Sequence, residues 1–421
     1  MIARLSGVQV PEVGGSAAVA GVDEGAVVGR RRRGVAVCAL LVSATIVGLA
    51  GTDLVLPVIP LLPEALGGTP AVAQLVLAAY AGGTGVGLIL YGALGARHDQ
   101  RLLLLTAIVA FAALSALAPL LTSVESLVAL RAVQGFFGAA AAVFAPGMVR
   151  SLFDDAGAMR ALGILGSIES LTPALAPIAG AWLLGFGGWW TGFVVLAGAA
   201  GLIALLVSVS WRGLPDPGAA RRSSEDRGSY RVLLGSGPFL RYALSQTGSL
   251  GGLLIFVFGA PAVIVGAMGG ELADFVRMQV IGISTFIVAS NVAGFFASRF
   301  GAERMIAIGS LTSLSGALAL FVYALSGGRD PAWLPWLFIP MNMGLGLRGP
   351  PGFLRAIQAG RGDDARAAAL VMLLVFAATA LGTAVVAPFI TLGLVPLTAA
   401  AVVVSGAGCL ALFLLPPLED L

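Results

Sequence analysis

The sequence has few of the residues from which soluble proteins build their surfaces and their active sites. Charged side chains make up 11% of the 421 residues, whereas soluble domains carry about 25%. There is one histidine, His98, and there are two cysteines, Cys38 and Cys409, both inside apolar runs. These counts exclude a disulfide scaffold, a zinc knuckle and a multi-histidine metal site. We therefore expect no metal, no cofactor and no enzymatic activity.

Apolar residues are abundant and occur in long uninterrupted runs. They make up 58% of the chain, and the mean hydropathy is +0.99. The runs reach 20 residues or more without alternation, which predicts membrane-spanning helices and excludes an outer-membrane β-barrel. We predict twelve spans, near residues 35–62, 72–94, 102–122, 127–149, 161–185, 191–210, 239–266, 278–297, 305–326, 333–354, 367–391 and 394–416.

The basic residues predict the orientation of the chain in the membrane. All 24 are arginines, and Arg131 and Arg348 fall inside predicted spans. Of the other 22, twenty lie on the same side as the N-terminus, and only Arg277 and Arg329 lie on the other. The positive-inside rule therefore predicts that both termini are cytoplasmic. Because the net charge is only +3 and is scattered between apolar runs, no nucleic-acid partner is expected.

The longest polar stretch after the N-terminal segment divides the predicted helices six and six. Similar residues recur in the two halves: Gly92 and Arg97 follow the second span, and Gly294 and Arg299 follow the eighth at an offset of 202. This predicts an all-α membrane protein with two six-helix pseudo-repeat bundles around a central cavity. The predicted domains are a disordered cytoplasmic tail (1–34), an N-terminal bundle (35–210), a cytoplasmic linker (211–238), a C-terminal bundle (239–416) and a short cytoplasmic tail (417–421).

Four ionisable residues, Asp53, Arg131, Glu169 and Arg348, fall inside the predicted spans. Each costs about 2.5 to 3.5 kcal/mol at the bilayer centre unless it is paired or hydrated. They could neutralise one another as structural pairs. Alternatively, they line a polar cavity in which a carboxyl group loads and releases a proton. Asp53 is the first choice for that role, because Pro57 loosens the helix beside it; Glu169 is the second choice, with a structural acid–arginine pair as its alternative.

Small residues and prolines mark two further helices. Arg131, Gly135, Gly138 and Ala142 share one face of the fourth span, so the guanidinium projects beside a smooth strip that another helix can approach closely. Gly83 and Gly87 in the second span are interpreted as packing glycines. In the fifth span, Pro173, Pro177 and Gly180 interrupt the helical hydrogen bonds and predict either a kink or a bending point in transport.

These residues resemble the major facilitator superfamily, and within it the bicyclomycin and chloramphenicol resistance (Bcr/CflA) type of drug:proton antiporter. The resemblance spans residues 35 to 416, and its specific motifs lie in the N-terminal half. The first-span pattern comprises Asp53, Leu56, Pro57, Pro60 and the following Gln74; the fourth-span motif attributed to proton coupling comprises Arg131, Gln134 and Gly135; the fifth-span antiporter motif comprises Ala176, Pro177 and Gly180.

The loop between the second and third spans departs from the family pattern. Gly92, Leu94, Arg97 and Arg101 agree with it, but Ala96 stands where the family has an Asp that is thought to latch the cytoplasmic gate. The loss of this acid puts normal gating in doubt and leaves the fold unaffected.

The resemblance implies a monomer in the bacterial inner (plasma) membrane that exports small, largely apolar compounds in exchange for protons. Asp53, Arg131 and Glu169 would couple transport to protons, whereas Gln134, Phe137, Phe144 and Arg348 would line the substrate cavity. The gating residues would be Gly92, Arg97, Arg101, Pro173, Pro177 and Gly180. Two alternatives stay open: a metabolite exporter or importer with a narrow substrate, and a membrane sensor that does not transport.

Overall fold

A computed structural model describes residues 24–153, 155–217, 230–360 and 364–418, and every regular element within these ranges is a helix. Residues 1–23 of the predicted tail and 218–229 of the predicted linker lie outside them. The first helix begins at Glu24, inside the predicted tail, because a helix can continue beyond the membrane boundary without a break in its hydrogen bonds. The described residues confirm the predicted all-α fold.

Six long helices build the N-terminal half. They are α1 (Glu24–Asp53), α2 (Pro70–Gly95), α3 (Gln100–Leu117), α4 (Val124–Leu152), α5 (Asp155–Gly187) and α6 (Thr191–Val209). After α1 the chain continues through a 3-10 turn, Leu56–Leu61, and a short helix, Leu62–Leu66.

Six more long helices build the C-terminal half. They are α7 (Gly237–Ala267), α8 (Leu272–Phe300), α9 (Ala302–Leu325), α10 (Leu334–Gln358), α11 (Asp364–Val386) and α12 (Leu394–Leu414). One π-helical turn, Thr247–Gly251, interrupts α7, and a second, Val263–Ala267, ends it. A short helix in the linker, Tyr230–Leu234, precedes α7.

Ten helices in the described part of the chain are long and apolar enough to cross a membrane. The exceptions among the twelve are α5, whose described apolar stretch is Leu171–Gly187, and α10. Helix α10 carries Asn342, Arg348 and several prolines, which lower its hydropathy although it is as long as its neighbours. Hydropathy therefore identifies a helix that faces lipid easily and tends to miss a helix that keeps polar groups inside the bundle.

Side chains and prolines set where several helices begin. The Thr69 hydroxyl accepts a hydrogen bond from Val72 N at 3.3 Å, and Pro70 follows as the first residue of α2. Ser123 caps α4 in the same way, through Ser126 N at 3.2 Å. These caps satisfy amide groups that a helix end leaves without a partner, so the short connections between antiparallel helices are fixed locally.

The two halves repeat one packing scheme. In the N-terminal half α2 packs against α4, α3 against α6 and α1 against α4. The corresponding contacts in the C-terminal half are α8 with α10, α9 with α12 and α7 with α10. Equivalent helices therefore have equivalent neighbours, as parallel repeats require.

Glycines allow α2 and α4 to pack at backbone contact. A Cβ on Gly83 would lie 1.9 Å from the Ala132 carbonyl oxygen, and one on Gly87 would lie 2.6 Å from that of Phe136. From the other helix, a Cβ on Gly135 would lie 2.1 Å from the Tyr80 carbonyl oxygen. The interpretation of Gly83 and Gly87 as packing glycines is confirmed, and this contact holds the site described below.

The halves meet mainly through α2 with α11 and α5 with α8. We call the membrane side on which α1 begins and α12 ends the tail side, and the opposite side the far side. At the far side one hydrophobic cluster contains buried residues from both halves. Its members lie between residues 55 and 193 in the N-terminal half and between residues 253 and 401 in the C-terminal half. The buried residues of the other two clusters belong to one half each, between 37 and 214 and between 233 and 412, and only the partly buried Met372 and Phe376 of α11 reach across to the first of them. The far side is therefore the more firmly closed.

Candidate functional site

Asp53 is the last residue of α1 and is 7% exposed. Pro57, four residues on, has no amide hydrogen to donate to the Asp53 carbonyl, so the α-helix gives way here to the 3-10 turn. The helix end is tightly held, since a Cβ on Gly180 of α5 would lie 2.2 Å from the Leu54 carbonyl oxygen. No described residue donates a hydrogen bond to the Asp53 carboxyl group. The predicted first choice is thus a buried acid without a hydrogen-bond donor among the described residues.

Arg131 of α4 is fully buried and begins a chain of hydrogen bonds. Its Nη1 donates to Gln134 Oε1 at 2.7 Å, and Gln134 Nε2 donates to the Ser115 hydroxyl at 2.7 Å. Ser115 in turn donates to the Phe111 carbonyl oxygen at 2.7 Å. The i, i+3 spacing of Arg131 and Gln134 places the pair on one face of α4, and α3 supplies the other two groups.

Aromatic rings surround the rest of the guanidinium. The Tyr80 ring centroid lies 4.0 Å from Arg131 Cζ and the Phe193 centroid lies 5.8 Å away, both within the range of cation–π attraction. Arg131 Nε and Nη2 are buried without a hydrogen-bond partner among the described residues. Two of the three guanidinium nitrogens therefore remain free to bind a group that enters the site.

Asp53 and Arg131 lie close enough to interact electrostatically. Among the described side chains, however, no Arg131 nitrogen lies within 4.0 Å of an Asp53 oxygen, so the two residues do not form an ion pair. The structure therefore brings together Asp53, Arg131 and Gln134, three of the predicted site residues, without a salt bridge between the acid and the base.

Arg348 of α10 lies in a separate polar cluster of the C-terminal half. It is fully buried; its Nε donates to the Ser310 hydroxyl at 3.0 Å, its Nη2 to the Ser245 hydroxyl at 3.2 Å and its Nη1 to Gln246 Oε1. Each guanidinium nitrogen thus has a neutral partner. No hydrogen bond or ring contact between described residues joins this cluster to Arg131, so the structure does not bring Arg348 to the Asp53 site.

The other predicted cavity residues lie inside the N-terminal half. Phe144 is 2% exposed, and its ring packs edge-on against Tyr91 at 5.7 Å. Phe137 borders a void of about 10 Å³ between α1, α3, α4 and α6, room for about one water molecule. In this conformation both rings serve packing, and a role in substrate binding would require the helices to move.

The predicted residues of α5 are described in part. The side chain of Glu169 lies outside the described part of the chain. Pro173 and Pro177 both fall inside one continuous helix, α5. Gly180 permits the close contact with the end of α1, and the fifth-span motif therefore adjoins the Asp53 site through the backbone.

The predicted gating loop lies on the tail side. Asp99 caps α3 and forms an ion pair with Arg101 at 2.7 Å, and this hydrogen bond is the largest reason why the pKa of Asp99 lies below its usual value. Arg101 also stacks on Trp211 at 5.3 Å, and Asp216 accepts a hydrogen bond from Gln100 N at 3.4 Å. The loop is thus fastened to the start of the linker.

The two other gating residues lie at the edge of this loop. Arg97 is exposed, and Gly92 lies beside the linker helix, where an added Cβ would be 3.4 Å from the Tyr230 hydroxyl. The loop lacks an acid at Ala96, but three positions later it has the carboxylate of Asp99, which caps α3 and pairs with Arg101.

Sequence reasoning missed Tyr80, Ser115 and the two linker residues, Trp211 and Asp216. Tyr80 carried one signal, its position three residues before Gly83 on the same face of α2. Ser115 and the linker residues carried none, since their partners lie far away along the chain.

A membrane bundle of two repeated halves, with charged side chains buried inside, defines a multi-pass membrane protein of the transporter type. The family model described as Major Facilitator Superfamily matches residues 40–383. The chain belongs to this superfamily of membrane transporters.

Three relatives are 27% identical to this chain over the residues that align. One is a chloramphenicol resistance protein of Pseudomonas aeruginosa, aligned over 291 residues that cover 68% of this chain and 69% of the relative. A bicyclomycin resistance protein homolog of Haemophilus influenzae aligns over 67% and 71% of the two chains. An uncharacterized transporter of the same superfamily from Bacillus subtilis aligns over 72% and 76%. The resemblance to resistance transporters is therefore confirmed at the level of the family.

Proposed function

We propose that this protein exports small, largely apolar compounds across the bacterial plasma membrane by alternating access, in exchange for entering protons. It acts as a monomer in the lipid bilayer, with both termini in the cytoplasm. Asp53 is the proton acceptor and Arg131 tunes its proton affinity. Two relatives are named for resistance to chloramphenicol and to bicyclomycin, which supports a drug-like substrate.

One observation carries the proposal: Asp53 is buried beside Arg131 but forms no ion pair with it. A permanent salt bridge in the membrane interior would keep the acid ionised and would resist each proton transfer. An unpaired carboxyl can accept a proton from one side and release it to the other once water reaches it. This property suits an acid that couples transport to protons.

The packing of the halves fits one end state of such a cycle. With the termini in the cytoplasm, the shared far-side cluster closes the outer face, while the buried residues of the other two clusters stay within one half each. Opening the outer face requires the far-side cluster to part. One proton that crosses 100 mV supplies about 2.3 kcal/mol, which supports a concentration ratio of roughly 50-fold at 1.36 kcal/mol per decade.

The test is Asp53→Asn, which keeps the size of the side chain and removes the titrating group. Accumulation of a panel of antibiotics and dyes is measured in cells that express the protein, with and without a protonophore. We expect the wild type to lower accumulation only when a proton gradient is present, and Asp53→Asn to abolish this uphill efflux while it still binds the compound. Asp330→Asn in an exposed far-side loop is the matched control, and uphill efflux that survives in Asp53→Asn would refute the proposal.

The free nitrogens of Arg131 favour a second candidate, a transporter of one metabolite. Nε and Nη2 could bind a substrate carboxylate directly, since arginine binds carboxylates in a bidentate manner. The panel distinguishes the two functions. Transport confined to carboxylic acids, and lost in Arg131→Lys through an increase in KM, would favour this narrower function.

A further inference from the structure

The side chain of Tyr80 of α2 lies in a gap between α1 and α4, where two glycines leave room for its ring. It is 2% exposed. A Cβ on Gly51 of α1 would lie 2.4 Å from its hydroxyl oxygen, and one on Gly138 of α4 would lie 2.6 Å away. A side chain at either glycine would displace the tyrosine. The two glycines therefore fix where the ring can stand.

The hydroxyl group of Tyr80 adds a hydrogen bond to the packing that confines the ring. It donates a hydrogen bond of 2.6 Å to the Gly48 carbonyl oxygen of α1. The Tyr80 backbone is fixed as well, because its carbonyl oxygen accepts a hydrogen bond from Thr84 at 3.0 Å and lies in contact with Gly135. The ring is thus held between three helices of the N-terminal half.

The face of this ring covers Arg131, with 4.0 Å between the ring centroid and Cζ. An aromatic face attracts a cation through its quadrupole and carries no proton that titrates in the range of transport. The ring therefore stabilises the guanidinium charge that a carboxylate would otherwise neutralise. Among the described residues, the carboxylate that interacts electrostatically with Arg131 is Asp53.

Resting on the proposed function, we propose that Tyr80 is a positioning residue: its ring holds Arg131 apart from Asp53, and this separation sets the pH at which Asp53 exchanges its proton. Phe193 is a weaker second face, at 5.8 Å. The described titratable groups that face Asp53 are Tyr80 on α2 and Arg131 on α4. The apolar segment of α7 packed against the 3-10 turn, Gly252–Ala262, has none. Helix α5 also packs against this turn and carries Glu169, whose side chain lies outside the described part of the chain.

The test measures proton binding by Asp53 directly, with the proton as the probe. The purified protein in lipid bilayers is titrated by infrared difference spectroscopy, and the carboxyl band lost in Asp53→Asn is assigned to Asp53. In Tyr80→Leu we expect the midpoint of this band to move by at least about one pH unit, a tenfold change in proton affinity. Tyr80→Phe keeps the ring and should stay within about 0.3 unit of the wild type.

Two further variants separate the role of the ring from simple packing. Tyr91→Leu removes a buried tyrosine from the same helix, one that stacks on Phe136 at 5.1 Å, and should leave the midpoint unchanged. Phenylalanines with one, two and three fluorines at position 80 keep the shape of the ring and weaken its attraction for cations. The midpoint should move stepwise with each fluorine, even if Tyr80→Leu folds poorly.

The outcomes for this inference and for the proposed function are distinct. A wild type without a titrating band that Asp53→Asn removes would contradict the proposed function itself. A band at the same midpoint throughout the fluorinated series would overturn the role of Tyr80 and leave the proposed function standing. A shift in Tyr80→Phe as large as that in Tyr80→Leu would assign the effect to the hydroxyl group and would also overturn the inference.

Discussion

The two buried arginines are satisfied in different ways. Arg348 has one neutral hydrogen-bond partner for each guanidinium nitrogen, from α7 and α9. Arg131 has one such partner, two aromatic faces and two nitrogens without partners. A fully satisfied charge stabilises one packed arrangement, whereas a partly satisfied charge can bind something else. From this comparison we expect the C-terminal cluster to be structural and the N-terminal cluster to be the site of chemistry.

The depth of the two residues in the bundle differs as well. Both α4 and α10 begin at the far side; Arg131 is the eighth residue of α4, counted from Val124, and Arg348 is the fifteenth residue of α10, counted from Leu334. At 1.5 Å per residue, Arg348 lies about 10 Å further toward the tail side. The two halves therefore share the arrangement of their helices but carry their buried arginines at different depths.

The largest effects are expected when each of the two arginines is replaced by methionine. Arg348→Met breaks three hydrogen bonds to a charged group and should lower the free energy of unfolding by about 3 kcal/mol or more, with the ratio of protons to substrate unchanged in the molecules that fold. Arg131→Met should cost less stability and should abolish uphill efflux. Thermal unfolding in detergent and transport per folded molecule in liposomes measure the two quantities.

The opposite pattern, with coupling lost in Arg348→Met and stability lost in Arg131→Met, would reverse the assignment of the two clusters. Arg348→Lys serves as the control, because it keeps the charge and one or two of the hydrogen bonds.

The second prediction concerns the hydrogen bonds that hold Arg131. Gln134→Leu removes the acceptor of Nη1 and leaves the Ser115 hydroxyl without its donor, at an expected cost of about 1 to 3 kcal/mol. Ser115→Ala removes only the outer link and should cost about 1 kcal/mol. Chemical unfolding measures both variants. An equal loss in the two would show that Gln134 supports packing and has no particular effect on the arginine.

Much of the N-terminal site could be predicted from the sequence because its parts are local. Asp53 with Pro57, and Arg131 with Gln134, are pairs within one turn of chain, so helical spacing alone places each pair. Tyr80 could not be predicted in this way. An aromatic residue in a membrane helix can face lipid or the interior, and only the glycines of two other helices direct it inward.

The C-terminal cluster shows the limit of the same reasoning. The cost of burying Arg348 predicted partners, but its partners are neutral serines and a glutamine on α7 and α9, far away in sequence. The sequence shows that a charged residue falls inside a membrane span. It does not show whether that residue lines a cavity or is hydrogen-bonded to neutral side chains. The span count illustrates a related limit, since the apolar run at 333–354 predicted α10 although this helix is not among the ten that are apolar enough to cross a membrane by composition.

A smaller effect is expected where the two halves touch. Gln74 of α2 donates a hydrogen bond of 3.0 Å to the Phe258 carbonyl oxygen of α7, across the far side. Gln74→Leu should weaken this closure by about 1 kcal/mol and increase the rate at which a cysteine introduced nearby at the far side reacts with a water-soluble maleimide. Gln279→Leu, a buried glutamine in α8, is the control. An unchanged rate would mean that the hydrophobic cluster closes the far side alone.

The smallest effect is expected in the tail-side loop. Because the hydrogen bond to Arg101 lowers the pKa of Asp99, the pair stabilises the folded state above the unfolded pKa of about 3.9, and this contribution is lost as the pH falls through the lower folded value. Asp99→Asn should cost less than about 1 kcal/mol at pH 7. The difference from the wild type should shrink as the pH falls below the unfolded pKa of about 3.9 and vanish below the lower folded value, as measured by urea unfolding across pH.

The most direct test of the central claim imposes a pH gradient on liposomes that contain the purified protein, and follows a panel compound with no membrane potential present. The proton gradient alone should drive uphill accumulation by the wild type and by Arg348→Lys, and should drive none by Asp53→Asn. Accumulation by Asp53→Asn at the wild-type level would contradict the account, because the proton would then cross through a different group.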